Sequence, residues 1–359
     1  MGVHVFTSAA ANYLPKVRAL FASLRRVRPD WRLTLALADD PAADASAARA
    51  DEVLTLDTLG LPEWRAWTFS HSLVELATGI KPFALRRLLA RPSCEAVIYL
   101  DPDVVAFSDL AEVADAFAGA DILLTPHLTT PERTVRGMIA HEVCTAQHGV
   151  FNLGFVGVAA RPQGLAFADW WAERCYHFCR EDVGNGLYTD QRWIDFAPAY
   201  FDRTRVLRST ALNVGPWNLP GRRLEGDLAG GFTVDGAPLG FFHFSGIDAA
   251  PQALAAQPAA AELTAWYARE TAAKPAPWGL GTFADGAPIL PEQRWVYRLR
   301  GDLQRAYPDP FRSGPATFQA WWRGQALVEF PALFDPRTAD AERRRLAGAL
   351  TTGYAPLSL

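Results

Sequence analysis

Apolar residues along this chain fall into short continuous runs and into helical stripes, and the two patterns alternate. Val3-His4-Val5-Phe6-Thr7 is a β-branched, apolar run that predicts a buried strand. A small and polar loop, Ser8 to Tyr13, follows it. Leu14 to Arg26 then sets Leu14, Val17, Leu20, Phe21 and Leu24 at helical spacing. Trp31 to Ala38 predicts a second strand, ending in Asp39-Asp40, and Glu52 to Leu56 a short third. A helix is predicted from about Pro82 to Leu89. Ala96-Val-Ile-Tyr-Leu100 is the strongest buried-strand signal, and it stops at Asp101-Pro-Asp103. Asp121 to Thr125 predicts another short strand. Strands alternating with helices over the first 125 residues imply an α/β fold with a mostly parallel central sheet flanked by helices. In such sheets ligands bind at the carboxyl ends of the strands.

Beyond residue 150 the pattern is mixed. Val150 to Val158 predicts a strand, Phe167 to Arg180 a helix, and Phe241 to Phe244 a short strand. Ala249 to Ala260, rich in Ala, Pro and Gln, reads as a linker or a loosely packed loop. Residues 261–359 read as helical segments rich in Trp and Arg, broken by Pro-rich turns. Those tryptophans predict a segment docked on the rest, because free they would leave large aromatics in water.

Composition narrows the partners. The 359 residues are 50% hydrophobic and 21% charged, as in a packed globular protein. A formal net charge of −4 provides no polycationic surface and argues against nucleic-acid binding. No apolar run reaches about 18 residues, so no spanning helix is expected. The start, Met1-Gly-Val-His-Val-Phe-Thr, enters a strand without a charged leader, so a cytoplasmic location is expected. Four cysteines make no disulfide framework. Cys175 and Cys179 flank His177 at helical spacing, but two thiols fall short of a closed zinc set and read as part of a core stripe. Lysine stands only at 16, 81 and 274, leaving 32 of the 35 basic residues as arginine. That skew reads as coding bias.

The chemistry gathers at strand ends. Asp101 and Asp103, separated by one residue after a buried strand, suit a hard divalent cation, Mn²⁺ or Mg²⁺, that keeps substrate phosphates as further ligands. Phe241-Phe-His243-Phe-Ser-Gly246 sets an imidazole among aromatics, which suits a packed core histidine or the third ligand that two carboxylates lack. Its Ser-Gly turn, at Gly246, lets backbone approach a phosphate. Asn152, Asp190 and Gln191 suit sugar hydroxyls, and Asn213-Val-Gly-Pro-Trp217-Asn218 adds a polar and aromatic cluster. Lys81, one residue before Pro82, sits at a predicted helix start, where anions are favoured.

The order Asp101-Pro-Asp103, Phe151-Asn-Leu-Gly154, Asp190-Gln191, His243-Phe-Ser-Gly246 resembles nucleotide-sugar glycosyltransferases of the GT-A (Rossmann-like) fold, closest to the glycogenin-like glycosyltransferase family 8. Leu76 to Phe83, Leu123 to His127, Thr282 to Ile289 and Pro308 to Phe311 are similar to bacterial GT-A proteins of surface-polysaccharide type. The resemblance implies a catalytic domain over residues 1–250, with a nucleotide-sugar half (1–125) and an acceptor half (126–250), and a helical extension over 261–359. It also implies metal ligation by Asp101, Asp103 and His243. Asn12 and Tyr13 would lie by the base, Asp39 or Asp40 would meet base or ribose, and Asp190 and Gln191, with Asn152, would lie at the donor sugar. The implied donor is a nucleotide diphosphate sugar, a UDP-sugar first. The acceptor is a glycan or a lipid-linked glycan, the latter compatible with peripheral contact at the inner membrane face.

One departure stands out. The group follows its histidine with Gly-x-x-Lys-Pro-Trp, whereas Ser245-Gly246-Ile-Asp248 has no such lysine. A phosphate-binding cation must come from elsewhere, with Lys81 first and Arg192 or Arg222 behind it. Stereochemistry stays open: retention needs no strong base, and inversion would use Glu142, Asp190 or Asp248. Two rivals remain. A sugar-phosphate nucleotidyltransferase would want a glycine-rich basic loop after the first strand, which Ser8 to Tyr13 is not. A non-catalytic carbohydrate-binding protein would use the tryptophans as sugar-stacking surfaces. The pattern fixes no oligomeric state.

Overall fold

The computed structural model describes residues 2–249 and 251–349. Its strands are β1 (Val3–Ala9), β2 (Arg32–Leu37), β3 (Glu52–Leu54), β4 (Ala96–Leu100), β5 (Val104–Ala106), β6 (Ile122–Pro126) and β7 (Phe151–Ala159). There follow β8 (Arg180–Asp182), β9 (Leu187–Thr189), β10 (Thr204–Val206), β11 (Leu224–Asp227), β12 (Gly231–Val234), β13 (Ala237–Pro238) and β14 (Phe241–His243). Seven of them form one sheet in the order β10-β6-β7-β4-β1-β2-β3. The pairs β1–β2, β1–β4, β2–β3 and β10–β6 are parallel. β7 alone runs antiparallel, between β4 and β6. This is the mostly parallel, helix-flanked sheet implied by the pattern.

Each strand divides its side chains between two cores by the period-2 alternation of a pleated sheet. Phe6, Val97 and Tyr99 enter one core, shared with the helices Lys81–Leu89 and Pro162–Phe178. Val5, Ile98 and Leu100 enter the other, against Leu20, Phe21 and Leu24 of the helix Leu14–Val27. That helix and the one after Lys81 start within a residue of their predicted positions, each with proline in the first turn. Cys175 and Cys179 are free and buried, and Cys179 Sγ lies 3.3 Å from the Glu75 carbonyl, as the core reading expects.

Two regions differ from the pattern. Residues 57–80 carry two helices, Trp64–Phe69 and Leu73–Gly79, that the pattern left unassigned. Their local signal was present: Ser72 Oγ accepts from Glu75 N and Glu75 Oε2 accepts from Ser72 N, a reciprocal capping box. The Ala/Pro/Gln-rich stretch is not a loose linker. It forms the helices Pro251–Ala255 and Pro258–Glu270, and Leu254, Ala259 and Ala260 are buried in a third core with Phe242 and Tyr267. Gln257 ties it down, accepting from Leu224 N at 2.8 Å and donating to the Leu219 and Arg222 carbonyls at 3.0 and 2.9 Å.

The extension is helical as far as it can be followed; residues 350–359 lie outside the described residues. Phe283, Tyr297, Phe311 and Phe318 each pack against the ring of Phe69. Among the described residues no helix is long and apolar enough to cross a membrane.

Candidate active site

β4 ends at Leu100, and Asp101-Pro102-Asp103 turns the chain into β5, with Val104 N donating to the Asp101 carbonyl. β14 pairs antiparallel with β5, and the register sets His243 opposite Val104. An imidazole 140 residues away in sequence therefore lands beside both carboxylates. His243 Nε2 lies 3.1 Å from Asp103 Oδ1 and 3.6 Å from Asp101 Oδ2. Among the described residues this is the group of three potential ligands that converges, with donor atoms within 4.8 Å of one another.

The cluster is oriented from behind. His243 Nδ1 meets Asn213 Oδ1 at 3.1 Å. Asn213 Nδ2 is committed to Thr125 Oγ1 and Asn152 Oδ1, so the amide presents its oxygen and the imidazole donates from Nδ1. That turns Nε2 toward the carboxylates, where it donates to Asp103 while protonated and would be the nitrogen offered to a metal once that proton is lost. Burial alone would lower the His243 pKa, but Asp103 and Asp101 outweigh it and raise the value. The same exchange holds the Asp103 carboxyl below its ordinary range despite burial. Asp101 divides its oxygens: Oδ1 accepts from Tyr99 Oη at 2.5 Å and faces Lys81 Nζ at 3.3 Å, while Oδ2 faces His243. Two carboxylate oxygens and one oriented nitrogen fit a hard divalent cation with coordination left for phosphate oxygens.

Gly154 allows this closeness. A β-carbon there would lie 2.3 Å from the His243 ring and 2.8 Å from Asn152 Oδ1, so only glycine lets β7 pass flush against the imidazole. If His243 is a ligand, His243→Ala is expected to raise the Mn²⁺ requirement about 10-fold or more. Gly154→Ala is expected to do the same with the imidazole retained. Metal titration of turnover checks both, and unchanged curves would return His243 to a packing role.

Lys81 corrects an expectation. It opens its helix as predicted, but its side chain is only 4% exposed, and its ammonium lies 3.3 Å from Asp101 Oδ1 and 3.2 Å from Asp190 Oδ2. It also donates to the Leu153 carbonyl and sits over the Tyr99 ring. Burial works against its charge, yet the two carboxylates hold its pKa well above the ordinary value. A cation so enclosed neutralises the site's own acids and is not free for a phosphate. Lys81→Met is expected to destabilise the fold by about 3–5 kcal/mol by leaving buried charge unpaired. The deficit should shrink as pH falls, because protonating Asp190 removes that charge; denaturant melts at two pH values test it. The substitutes are engaged too. Arg192 pairs with Asp195, and Arg222, its pKa pushed down to about 10 by burial, donates to the Thr210 and Leu212 carbonyls.

Asp190 is 1% exposed in its side chain, beside Lys81, and burial raises its pKa despite that cation. Thr189 just before it takes φ +47°, a left-handed conformation costly for a β-branched residue, at the turn that delivers Asp190 to the cluster. Gln191 and Asn152 hold backbone and neighbours. Gln191 accepts from Leu153 N and donates to the His148 carbonyl. Asn152 Oδ1 accepts from Gly154 N, and its Nδ2 donates to His127 Nε2. Both are therefore placed as supports of β7 and the histidine. Asp39 is fully buried, accepting from Ala11 N, Asp40 N and Gly279 N, so it clamps backbone in place of a base or ribose. Asn12 and Tyr13 line an open cavity near it. Gly246 takes φ +72° in an exposed turn after β14.

Three contributors had no assigned role in the sequence: Tyr99, His127 and Asn213. Tyr99 had a signal, since residues two apart on a strand share a face and Tyr99 precedes Asp101 by two. His127 and Asn213 join the site only through tertiary contacts.

No family model matches the chain. It is 26% identical over 249 residues to the uncharacterized protein YfnD of Bacillus subtilis (strain 168), covering 68% of this chain and 77% of that one. It is 26% identical over 170 residues to the uncharacterized protein YfnF of the same organism, covering 46% and 55%. Among solved structures it is similar to the galactosyltransferase LgtC in complex with donor and acceptor sugar analogs, at 17% identity and TM-score 0.43, over 75% of this chain and 95% of that one. It is also similar to mouse xyloside xylosyltransferase 1, at 16% identity and TM-score 0.39, over 68% and 97%.

Proposed function

We propose that this chain is a metal-dependent glycosyltransferase. It moves a hexose from a nucleotide diphosphate sugar, a UDP-sugar first, to a glycan or lipid-linked acceptor in bacterial surface-polysaccharide synthesis. One observation carries the reading: Asp101, Asp103 and the Nε2 of His243 converge where β4 leaves the sheet, with the imidazole oriented by Asn213 at its Nδ1. β4 neighbours β1, where the strand order reverses, and such crevices bind ligands in α/β sheets.

Asp101, Asp103 and His243 would hold Mn²⁺ or Mg²⁺, which when bound supplies positive charge to a departing diphosphate. Tyr99 and Lys81 hold one oxygen of Asp101 and so leave the other turned to the cluster. Asp190, kept in place by Lys81, would turn its carboxylate to the donor sugar as positive charge develops at the anomeric carbon. The burial of Lys81 and Asp190 strengthens these electrostatic terms relative to water.

A panel of nucleotide sugars incubated with the full chain, with and without Mn²⁺, tests this. Metal-dependent release of a nucleoside diphosphate from one donor class is expected. Release of pyrophosphate from a nucleoside triphosphate and a sugar phosphate would mean a nucleotidyltransferase. Binding without release would mean a carbohydrate-binding protein.

A further inference from the structure

A cavity of about 250 Å³ lies where the extension meets the helix Trp64–Phe69, and none of Asp101, Asp103, Asp190 or His243 lines it. That is well above the space one water needs. Trp67, His71 and Tyr176 give it an aromatic wall, and Arg180, Arg298 and Gln304 a polar one. Arg298 and Gln304 belong to the extension, so both parts of the chain build it. Glu63 is the carboxylate that lines it, and Glu63 is exposed.

The two guanidinium groups lean on carboxylates that are already engaged. Arg298 Nη1 lies 3.5 Å from both oxygens of Glu75 and from the Ser70 carbonyl. Glu75 also accepts from Ser72 N and Glu181 N. Arg180 donates to the Ala349 carbonyl at 2.7 Å and feels the charges of Glu75 and Asp182, the latter accepting from Asn185 Nδ2. Burial, and then the charge of Arg298, push the Arg180 pKa down to about 10, so the two cations repel each other. His71 adds no charge near neutral pH: burial pushes its pKa down to about 4, and its Nδ1 proton goes to the Trp67 carbonyl at 2.6 Å.

Arg298 Nε decides what the cavity suits. The side chain is 8% exposed, and Nε is buried with no hydrogen-bond partner among the described residues. A buried N–H without an acceptor is costly and rare. The Nε edge of a guanidinium is also one it uses to grip an oxyanion through two parallel bonds.

We propose that this cavity binds a small anionic ligand through a phosphate or carboxylate group, with Arg298 as its principal contact and Arg180 adding positive charge. An oxyanion brings the acceptor that Nε lacks and a charge that offsets two close cations, whereas water brings the acceptor alone. The inference does not rest on the donor reading. The cavity is nonetheless linked to the catalytic cluster by backbone, because β8 pairs with β9 and sets Arg180 opposite Thr189, the residue before Asp190.

Calorimetry on the full chain in EDTA, with inorganic phosphate and malonate as probes, tests this; the chelator removes any metal-held anion from the signal. Saturable binding of at least one probe is expected, at about millimolar Kd or tighter. Arg298→Lys keeps a cation opposite Glu75 but lacks the Nε edge, and is expected to raise that Kd about 10-fold or more. Its melting temperature without the anion should move by only a few degrees. Ala66→Leu leaves both arginines in place and puts bulk into the cavity, and is expected to weaken binding as much. Phosphate binding tighter than malonate assigns a phosphate group to the ligand, and the reverse a carboxylate. Unchanged affinity in either folded variant would overturn the proposal by placing the anion elsewhere. A wild type that binds neither probe would also overturn it, leaving the cavity to water.

Discussion

Asp103→Ala is expected to abolish metal-dependent turnover, by roughly 10²–10³-fold or more, while leaving a folded protein. Asp103 stands in the turn between β4 and β5, its side chain 14% exposed, with His243 Nε2 as its close partner. Its structural work is done by its carbonyl, which accepts from Phe244 N and survives the substitution. What alanine removes is one of three donors, leaving a cation held by Asp101 and His243 alone. Little apolar area changes, so the melting temperature without metal should fall by only a few degrees. Mn²⁺ titration of donor hydrolysis beside a thermal melt decides the matter. Undiminished turnover by a folded Asp103→Ala protein would falsify the assignment.

Truncation after residue 260 is expected to give an insoluble or non-cooperative product. Phe69 would lose all four rings that pack on it from the extension. The Phe69 and His71 carbonyls would lose the buried Arg294 guanidinium, which donates to both at 3.0 Å. Asp39 would lose Gly279 N, loosening the loop that carries Asn12 and Tyr13. Each large apolar side chain returned to water costs about 1.5–3 kcal/mol, and Val296, Tyr297, Phe311, Phe318 and Trp322 all belong to the core in question. For these five the total is roughly 7–15 kcal/mol, as large as the whole 5–15 kcal/mol that typically stabilises a domain. The exposed face would also be a contiguous apolar patch prone to association. Expression, size exclusion and a melt of the 1–260 fragment check this. A soluble monomer that melts cooperatively and still hydrolyses donor would show the extension to be a separate module.

What the sequence determined by itself is what depends on neighbours in the chain. The runs at Val3 and Ala96 became central strands because continuous apolar, β-branched residues suit a position buried on both faces. Asp101 and Asp103 were legible because charge that stops such a run must sit at a strand end. Helix starts at Leu14 and Lys81 followed from apolar spacing and proline. The weaker segments failed for the same reason: Trp64–Phe69 is six residues long, too short to show a period, and residues 251–270 are alanine-rich, a composition that suits packed helix and loose linker alike.

Tertiary structure decided everything that rests on pairing between distant segments. The β5–β14 register brings His243 to Asp103, and nothing local to Phe241-Phe-His243 encodes that partner. Lys81 reads as a phosphate-binding lysine at a helix start until two acids, one after β4 and one after β9, close on it and turn it into a buried counterion. Asn152 reads as a sugar-binding amide, but it meets the His127 imidazole and the Asn213 amide across the site, and a hydrogen bond already made inside a protein is no longer available to a ligand. Asp39 joins the loop after β1 to the segment around Gly279, two stretches far apart in sequence, by accepting from Ala11 N and Gly279 N. Short-range periodicity reports burial, whereas charge pairing and ligand geometry are set by distances in space that sequence separation does not encode.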